Sequence, residues 1–278
     1  MTQRLTPQQA ASLVHTTDVL GIPLGPGHPG GFLHALGERD DWVDLTVTGA
    51  LLADFYTLFG HPGVRFLSGF YGPIERLMRD QGGNIEFVPA DFRRFAPLLE
   101  KVNPRVMATS AAPPDADGWC SLSLHAGATV DEIVRAGADP ERVLVVEVSP
   151  RFPRTLGHGE HAHRVHMDQI DVLIETDREP LVIGEPQPSE ADRAIALKVA
   201  DFVTDGCTLQ TGIGGIPSTV ASILAEGDKG GFGIHSEMFT TGLMKLHKAG
   251  KVTNEKGIWN GVSITTFAAG TRELYDWL

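Results

Sequence analysis

Glu237 stands in the stretch Gly231-Phe-Gly-Ile-His-Ser-Glu-Met-Phe-Thr-Thr-Gly242, a lone carboxylate in a short segment with glycine at both ends. Upstream lies Gln210-Thr-Gly-Ile-Gly-Gly-Ile-Pro217, a glycine-rich turn between an apparent strand, Cys207–Gln210, and an apparent helix. A carboxylate can attack an acyl carbon and form a covalent intermediate. Free N–H groups at a helix N-terminus can hold the oxyanion that develops on the attacked carbonyl. One acid and one donor turn thus point to covalent carbonyl chemistry. An isolated glutamate is ordinarily a solvated charge. Here Ile234, Met238 and Phe239 flank it, which predicts a partly dry setting.

Other chemistries find less support. The Gly212-Ile-Gly-Gly215 turn lacks the third glycine and the downstream acid of a dinucleotide fold, and no Gly-Lys-Ser/Thr makes it a P-loop. No GxSxG elbow is present. Cys207 begins a buried-looking strand and Cys120 follows a turn, the usual settings of unreactive thiols. His158, His161, His163 and His166 crowd one loop with Glu160, but their spacing fits neither HExxH nor a zinc knuckle, so no metal is expected. Arg151 and Arg154 could meet phosphates or simply serve a surface loop. Asp115 and Asp117 read as turn residues.

The positioning elements follow from periodicity. Pro7–Val19 reads as a helix, Gly21–Gly31 as a glycine and proline loop, and Phe32–Arg39 as a short helix. Strands are expected at Trp42–Thr48, with Val43, Leu45 and Val47 on one face, and at Val64–Phe70, Ile85–Val88, Val106–Thr109, Val143–Val148 and Val172–Glu175. Helices are expected at Asp91–Leu99 and Val130–Ala136. This alternation predicts an α/β fold with a largely parallel sheet. Pro180–Pro188 reads as a domain boundary. Ser189 then opens a helix with Asp192 completing a capping box, Ile195, Val199, Phe202 and Val203 as its apolar stripe, and Gly206 beyond its end. Pro217 fits the first turn of the next helix, with Val220, Ile223 and Leu224 packing inward.

The chain has 278 residues, 42% apolar and 21% charged, enough for a real core. Its formal net charge of -12 and pI near 5.3 argue against a nucleic-acid partner. Two cysteines cannot build a disulfide framework. The N-terminal residues lack the apolar core of a signal peptide, and no apolar run reaches the roughly 18 residues that span a bilayer. The expectation is a soluble cytoplasmic protein with no membrane partner, and at this size a symmetric homodimer.

The segments Gln210–Pro217 and Gly233–Gly242 resemble the acetyl-CoA hydrolase/transferase family, which includes acetate, butyrate and 4-hydroxybutyrate CoA-transferases. Pro113–Leu122, Pro150–Thr155 and Gly270–Leu278 resemble it as well, and the matching segments keep the same order from about Ser68 to the end. The resemblance implies two related open α/β domains, residues 1–185 and the first part of a second domain in residues 186–278. It implies that Glu237 is the nucleophile, attacking an acyl-CoA thioester to give an acyl-glutamyl anhydride and then a glutamyl-CoA thioester. A second carboxylic acid then takes the CoA. Gln210, Gly212, Gly214 and Gly215 would line the site near the acyl carbonyl, and Ser68 would lie near it. Coenzyme A enters as substrate, with no permanently bound cofactor. Family members continue well past the segment resembling Leu274–Trp277, into a second glycine-rich motif that contacts CoA. The resemblance therefore implies an incomplete second domain and weak or no turnover by this chain alone. Hydrolysis of the same intermediate by water is an alternative, and a non-catalytic CoA-binding protein is an alternative of another class.

Overall fold

The computed structural model describes residues 2–125 and 127–278. In chain order its first elements are β1 (Gln3–Leu5), α1 (Pro7–Ala11), β2 (Val19–Leu24), α2 (Gly30–Gly37), β3 (Leu45–Ala50), β4 (Val64–Ser68), α3 (Pro73–Asp80) and β5 (Ile85–Phe87). Then come α4 (Phe92–Val102), β6 (Val106–Ala111), β7 (Trp119–Ser121), α5 (Val130–Ala138), β8 (Val143–Val148), β9 (Arg164–His166) and β10 (Val172–Glu175). Eight of these strands form one sheet in the order β1-β10-β8-β6-β2-β3-β4-β5, parallel at every pairing. From β2 the chain runs outward through β3, β4 and β5, then returns to β6 on the other side. Crevices at the carboxyl ends of strands near such a reversal are where open α/β sheets bind ligands.

The apolar run of β8, interrupted only by Glu147, lies between β10 and β6, and β6 is buried at every position. Burial of both alternating sets shows that both faces of the sheet are covered there, as parallel sheets require. Leu20, Phe32, Leu33, Leu45, Val47 and Phe66 belong to the main core cluster.

The N-terminal expectations need correction. The helix ends at Ala11, and Val19 already lies in β2. Gly21–Leu24 is not loop but part of a central strand between β6 and β3. Pro23 has no N–H to give the ladder, and the β2–β3 register shifts between Gly21 and Leu24. Strand β3 begins at Leu45, so Val43 is 69% exposed while Leu45 and Val47 are buried.

Val182–Leu278 forms a separate compact unit. The division falls at Leu181/Val182, inside the Pro180–Pro188 stretch, for reasons visible in its bonds. Val182 bridges Gly270, the Ile183 N–H donates to the Gly270 carbonyl at 2.8 Å, and Glu185 pairs with Lys245 at 2.7 Å. This unit holds α6 (Glu190–Phe202), β11 (Thr208–Leu209), α7 (Gly215–Glu226), β12 (Gly233–Phe239), α8 (Thr241–Lys248), β13 (Ile264–Ala268) and α9 (Arg272–Trp277). Its sheet is parallel, in the order β11-β12-β13.

Helix α6 starts as its sequence predicts. The Ser189 hydroxyl accepts from the Asp192 N–H, and the Asp192 carboxylate accepts from the Ser189 N–H. Its apolar stripe does not follow the prediction, because Ile195, Val199 and Phe202 are exposed. The buried positions are Ala196 and Ala200. The helix lies against α7, and small residues allow two helices to approach closely. Among the described residues no helix is long and apolar enough to cross a membrane.

Candidate active site

Strand β12 brings Glu237 near the carboxyl end of the small parallel sheet. Ile234 and Ser236 point inward and are buried, while His235 and Glu237 alternate to the exposed face. The partly dry setting predicted from flanking residues is therefore not observed: strand alternation sends Ile234 and the carboxylate to opposite faces. His235 packs edge-on against Trp259, with ring centres 5.5 Å apart. Phe239 lies buried near the strand's end and stacks on Trp277.

The backbone of Glu237 is held on both sides. Its N–H donates to Gln210 Oε1 at 3.2 Å. Its carbonyl accepts from the hydroxyls of Thr265 at 3.0 Å and Thr266 at 2.7 Å. One residue back, the Ser236 hydroxyl donates to the Thr211 carbonyl and lies 3.3 Å from the Thr211 nitrogen. Thr211 also meets Thr240 through their hydroxyls. The glycine turn is thus fastened to β12 at Gln210 and Thr211, beside the carboxylate. Among the described residues the Glu237 side chain has no hydrogen bond or ion pair.

The turn itself is shaped for donation. Gly214 precedes α7 with φ +128°, a conformation that a side chain would strain. The N–H groups of Gly215 and Ile216 occupy the first helical positions, where no intrahelical acceptor exists. Gly212 is exposed, and a Cβ there would meet nothing within 4 Å. The structure therefore brings Gln210, Gly212, Gly214 and Gly215 together on the loop that adjoins Glu237. Sequence reasoning missed the hydroxyl set formed by Thr211, Ser236, Thr240, Thr265 and Thr266. The doublets Thr240-Thr241 and Thr265-Thr266 at the ends of apolar runs were the available signal.

Ser68 lies in the first unit, fully buried. Its hydroxyl reaches the Phe70 carbonyl at 2.8 Å and Glu75 Oε1 at 3.2 Å. The same unit holds a cavity of about 210 Å³ lined by Gly25, His28, Asp54, Tyr56, Glu147 and Arg178, among others. Glu147 is buried and caps α2, accepting from Gly31 at 3.1 Å and Phe32 at 2.9 Å, and from the Thr176 hydroxyl at 3.1 Å. Burial raises its pKa, against those bonds. His28 is buried, and burial pushes it down to about 4; the nearby Pro23 and Ala50 carbonyls oppose this without forming a hydrogen bond to the ring. Burial likewise pushes His125 down to about 3, with His163 and His28 adding to the effect.

Arg151, Arg154, Asp115, Cys120, His163 and His166 sit in local contacts of the first unit. Arg151 pairs with Asp177 and Glu179. Arg154 binds the Asp115 carboxylate and the Pro113 and Trp119 carbonyls. Asp115 accepts from the Asp117 and Trp119 N–H groups, closing the expected turn. Burial raises Cys120 to about 11. His163 and His166 bond the carbonyls of Ser123 and Asp117. Among the described residues no three ligand-type side chains form a metal cluster.

No family model matches the sequence. The chain is 32% identical to succinyl-CoA:cyclohexane-1-carboxylate CoA transferase of Geobacter metallireducens over 98% of its own length and 61% of that protein. It is 33% identical to 4-hydroxybutyrate coenzyme A transferase of Clostridium kluyveri over 99% of its length and 63% of that protein. The crystal structure of RipA from Yersinia pestis superposes with a TM-score of 0.90 at 27% identity, covering 99% of this chain and 65% of that one. The chain thus spans a little over three fifths of the length of these relatives. Matched in this way along almost its whole length, the chain is related to CoA-transferases of the acetyl-CoA hydrolase/transferase type.

Proposed function

We propose that this protein moves CoA between a short-chain acyl-CoA and a carboxylic acid, with Glu237 as the covalent nucleophile. The observation that carries the reading is the fastening of the glycine turn to Glu237 through Gln210, in a chain matched along almost its whole length by CoA-transferases. A Glu237 oxygen attacks the thioester carbon, and the carbonyl electrons move to oxygen. N–H groups of the Gly212–Gly215 turn hold that oxyanion. Collapse expels the CoA thiolate and leaves an acyl-glutamyl anhydride. The thiolate attacks the glutamyl carbon, the acyl group leaves as its carboxylate, and a glutamyl-CoA thioester remains. An incoming carboxylate reverses these steps and departs with the CoA, so no net proton or electron is consumed.

The exposure of Glu237 favours one second reading, in which water resolves the same intermediate. Acyl-CoA consumption assayed with and without added acetate separates the two. Transfer predicts loss of acyl-CoA that depends on an acceptor acid, with new acyl-CoA formed. Equal loss without any acid assigns the protein as a hydrolase.

Gln210 provides a milder test. Gln210→Ala removes the side-chain acceptor of the Glu237 N–H and frees the turn from the strand. The expected loss of turnover is about fivefold, the scale of one hydrogen bond of roughly 1 kcal/mol. Unchanged turnover in that variant removes the turn-to-strand link from the mechanism.

A further inference from the structure

In the first unit, a strained turn at the end of β3 is held by a buried carboxylate. Leu51 has φ +48°, a left-handed conformation that residues with side chains seldom adopt. Its N–H donates to the Phe70 carbonyl at 3.2 Å. The next N–H, on Leu52, donates to Glu75 Oε1 at 2.7 Å. The Ser68 hydroxyl lies between the same two acceptors, Phe70 O and Glu75 Oε1. Ser68 and Glu75 are both 0% exposed. Glu75 Oε2 has no hydrogen-bond partner among the described residues. A carboxylate buried this way is costly, and its shortest bond goes to the amide that follows the strained residue.

The turn held by Glu75 shapes two cavities. The Leu51 carbonyl abuts Gly25 at the end of β2, where a Cβ would stand 2.9 Å from it. Gly49 and Ala50, just before the turn, line a small apolar cavity with Ile22, Leu24 and Phe95. Ala53, Asp54 and Tyr56, just after it, line the cavity of about 210 Å³ that also touches His28 and Arg178. Both open at the carboxyl ends of β2 and β3, the edge of the sheet where such folds bind ligands.

We propose that Ser68 and Glu75 are positioning residues: they fix the Leu51–Leu52 backbone, and through it the walls of a ligand site at the carboxyl end of β3, without touching the ligand themselves. The ligand's identity rests on the CoA-transferase reading, as an acyl-CoA or its acceptor acid. This assigns Ser68 a role through Glu75 and the turn rather than direct contact.

Three variants test it. Glu75→Met removes the acceptor, Glu75→Gln keeps an oxygen for the Leu52 N–H, and Ser68→Ala removes only the bridging hydroxyl. Amide hydrogen exchange at Leu51 and Leu52 is expected to quicken by about tenfold to a hundredfold in Glu75→Met and by a few-fold in Ser68→Ala. Glu75→Gln should restore it to within about threefold. Exchange at Leu20 and Val106, in β2 and β6, should not change. In the transfer assay KM should rise about tenfold in Glu75→Met with kcat nearly constant, the signature of a displaced binding wall. If Glu75→Met does not fold, Ser68→Ala carries the exchange test. Unchanged exchange at Leu52 in the variants that fold, or a loss of kcat at constant KM, overturns the proposal. Absence of transfer by the unsubstituted chain, which spans about three fifths of its relatives' length, removes only the KM comparison, and exchange at Leu52 still decides the positioning role.

Discussion

Glu237→Gln is expected to lower CoA transfer by about four orders of magnitude or more, the scale on which removal of a covalent nucleophile acts. The amide is a poor nucleophile and cannot form the anhydride. The folded state should scarcely notice the change. The carboxylate is exposed and has no side-chain partner among the described residues, while the strand around it is held by Gln210, Thr265 and Thr266 through the backbone. An exposed substitution of this kind shifts stability by less than about 0.5 kcal/mol. Loss of activity with an unchanged melting curve therefore identifies chemistry rather than folding. Activity retained in Glu237→Gln removes the residue from the reaction.

The second large effect is on acid stability. His28 and His125 are buried and held neutral, their pKa values lowered from 6.5 to about 4 and about 3. Below pH 6.5 the unfolded chain takes up protons at these histidines and the folded chain does not. Their contribution is thus fully present above pH 6.5 and is lost as pH falls toward 4. His28 alone accounts for roughly 3 kcal/mol, since each tenfold weakening of proton affinity on folding is worth about 1.4 kcal/mol. His163 and His247, also lowered by burial, act with the same sign. Glu147 acts with the opposite sign, since burial raises it and acid relieves that cost. Asp18, lowered despite burial by its bonds to Arg105 and the His15 N–H, loses its contribution only below its ordinary value of 3.8. Denaturant midpoints measured from pH 7.5 to 4.5 should be flat down to about pH 6.5 and then fall steeply. A His28→Gln variant should fall less steeply. A midpoint constant to pH 4.5 contradicts the buried neutral state.

Much of the architecture was legible in local pattern. The β-branched run Val143–Val148 is the strand β8, and the Ser189–Asp192 capping box opens α6. Gly214 takes a positive φ where the turn enters α7, whereas Gly206, though also at positive φ, does not end α6: the helix closes at an extended Val203, and the Gly206 N–H donates to the Gly230 carbonyl. The failures came where tertiary pairing overrides composition. Gly21 to Leu24 reads as loop because glycine and proline dominate it, yet β3 and β6 pair it into the sheet. The stripe Ile195, Val199 and Phe202 has helical spacing, but spacing does not say which face meets a neighbour, and the alanines are the residues buried. At the site, glycine spacing and a lone acid pointed to the turn and to the proposed nucleophile. The threonine doublets hinted at the hydroxyls that fasten them, but which groups meet was not legible, because Thr211, Ser236 and Thr265 come together only through the folded sheet.

Trapping the covalent intermediate decides whether Glu237 carries the reaction. The protein is incubated with acetyl-CoA, reduced with borohydride, digested and mapped by mass spectrometry. A glutamyl-CoA thioester on Glu237 predicts reduction of that side chain to an alcohol, confined to the peptide containing Gly233–Gly242 and absent from Glu237→Gln. Transfer that proceeds with no modification there, or with modification at another residue, contradicts the assignment of Glu237 as nucleophile.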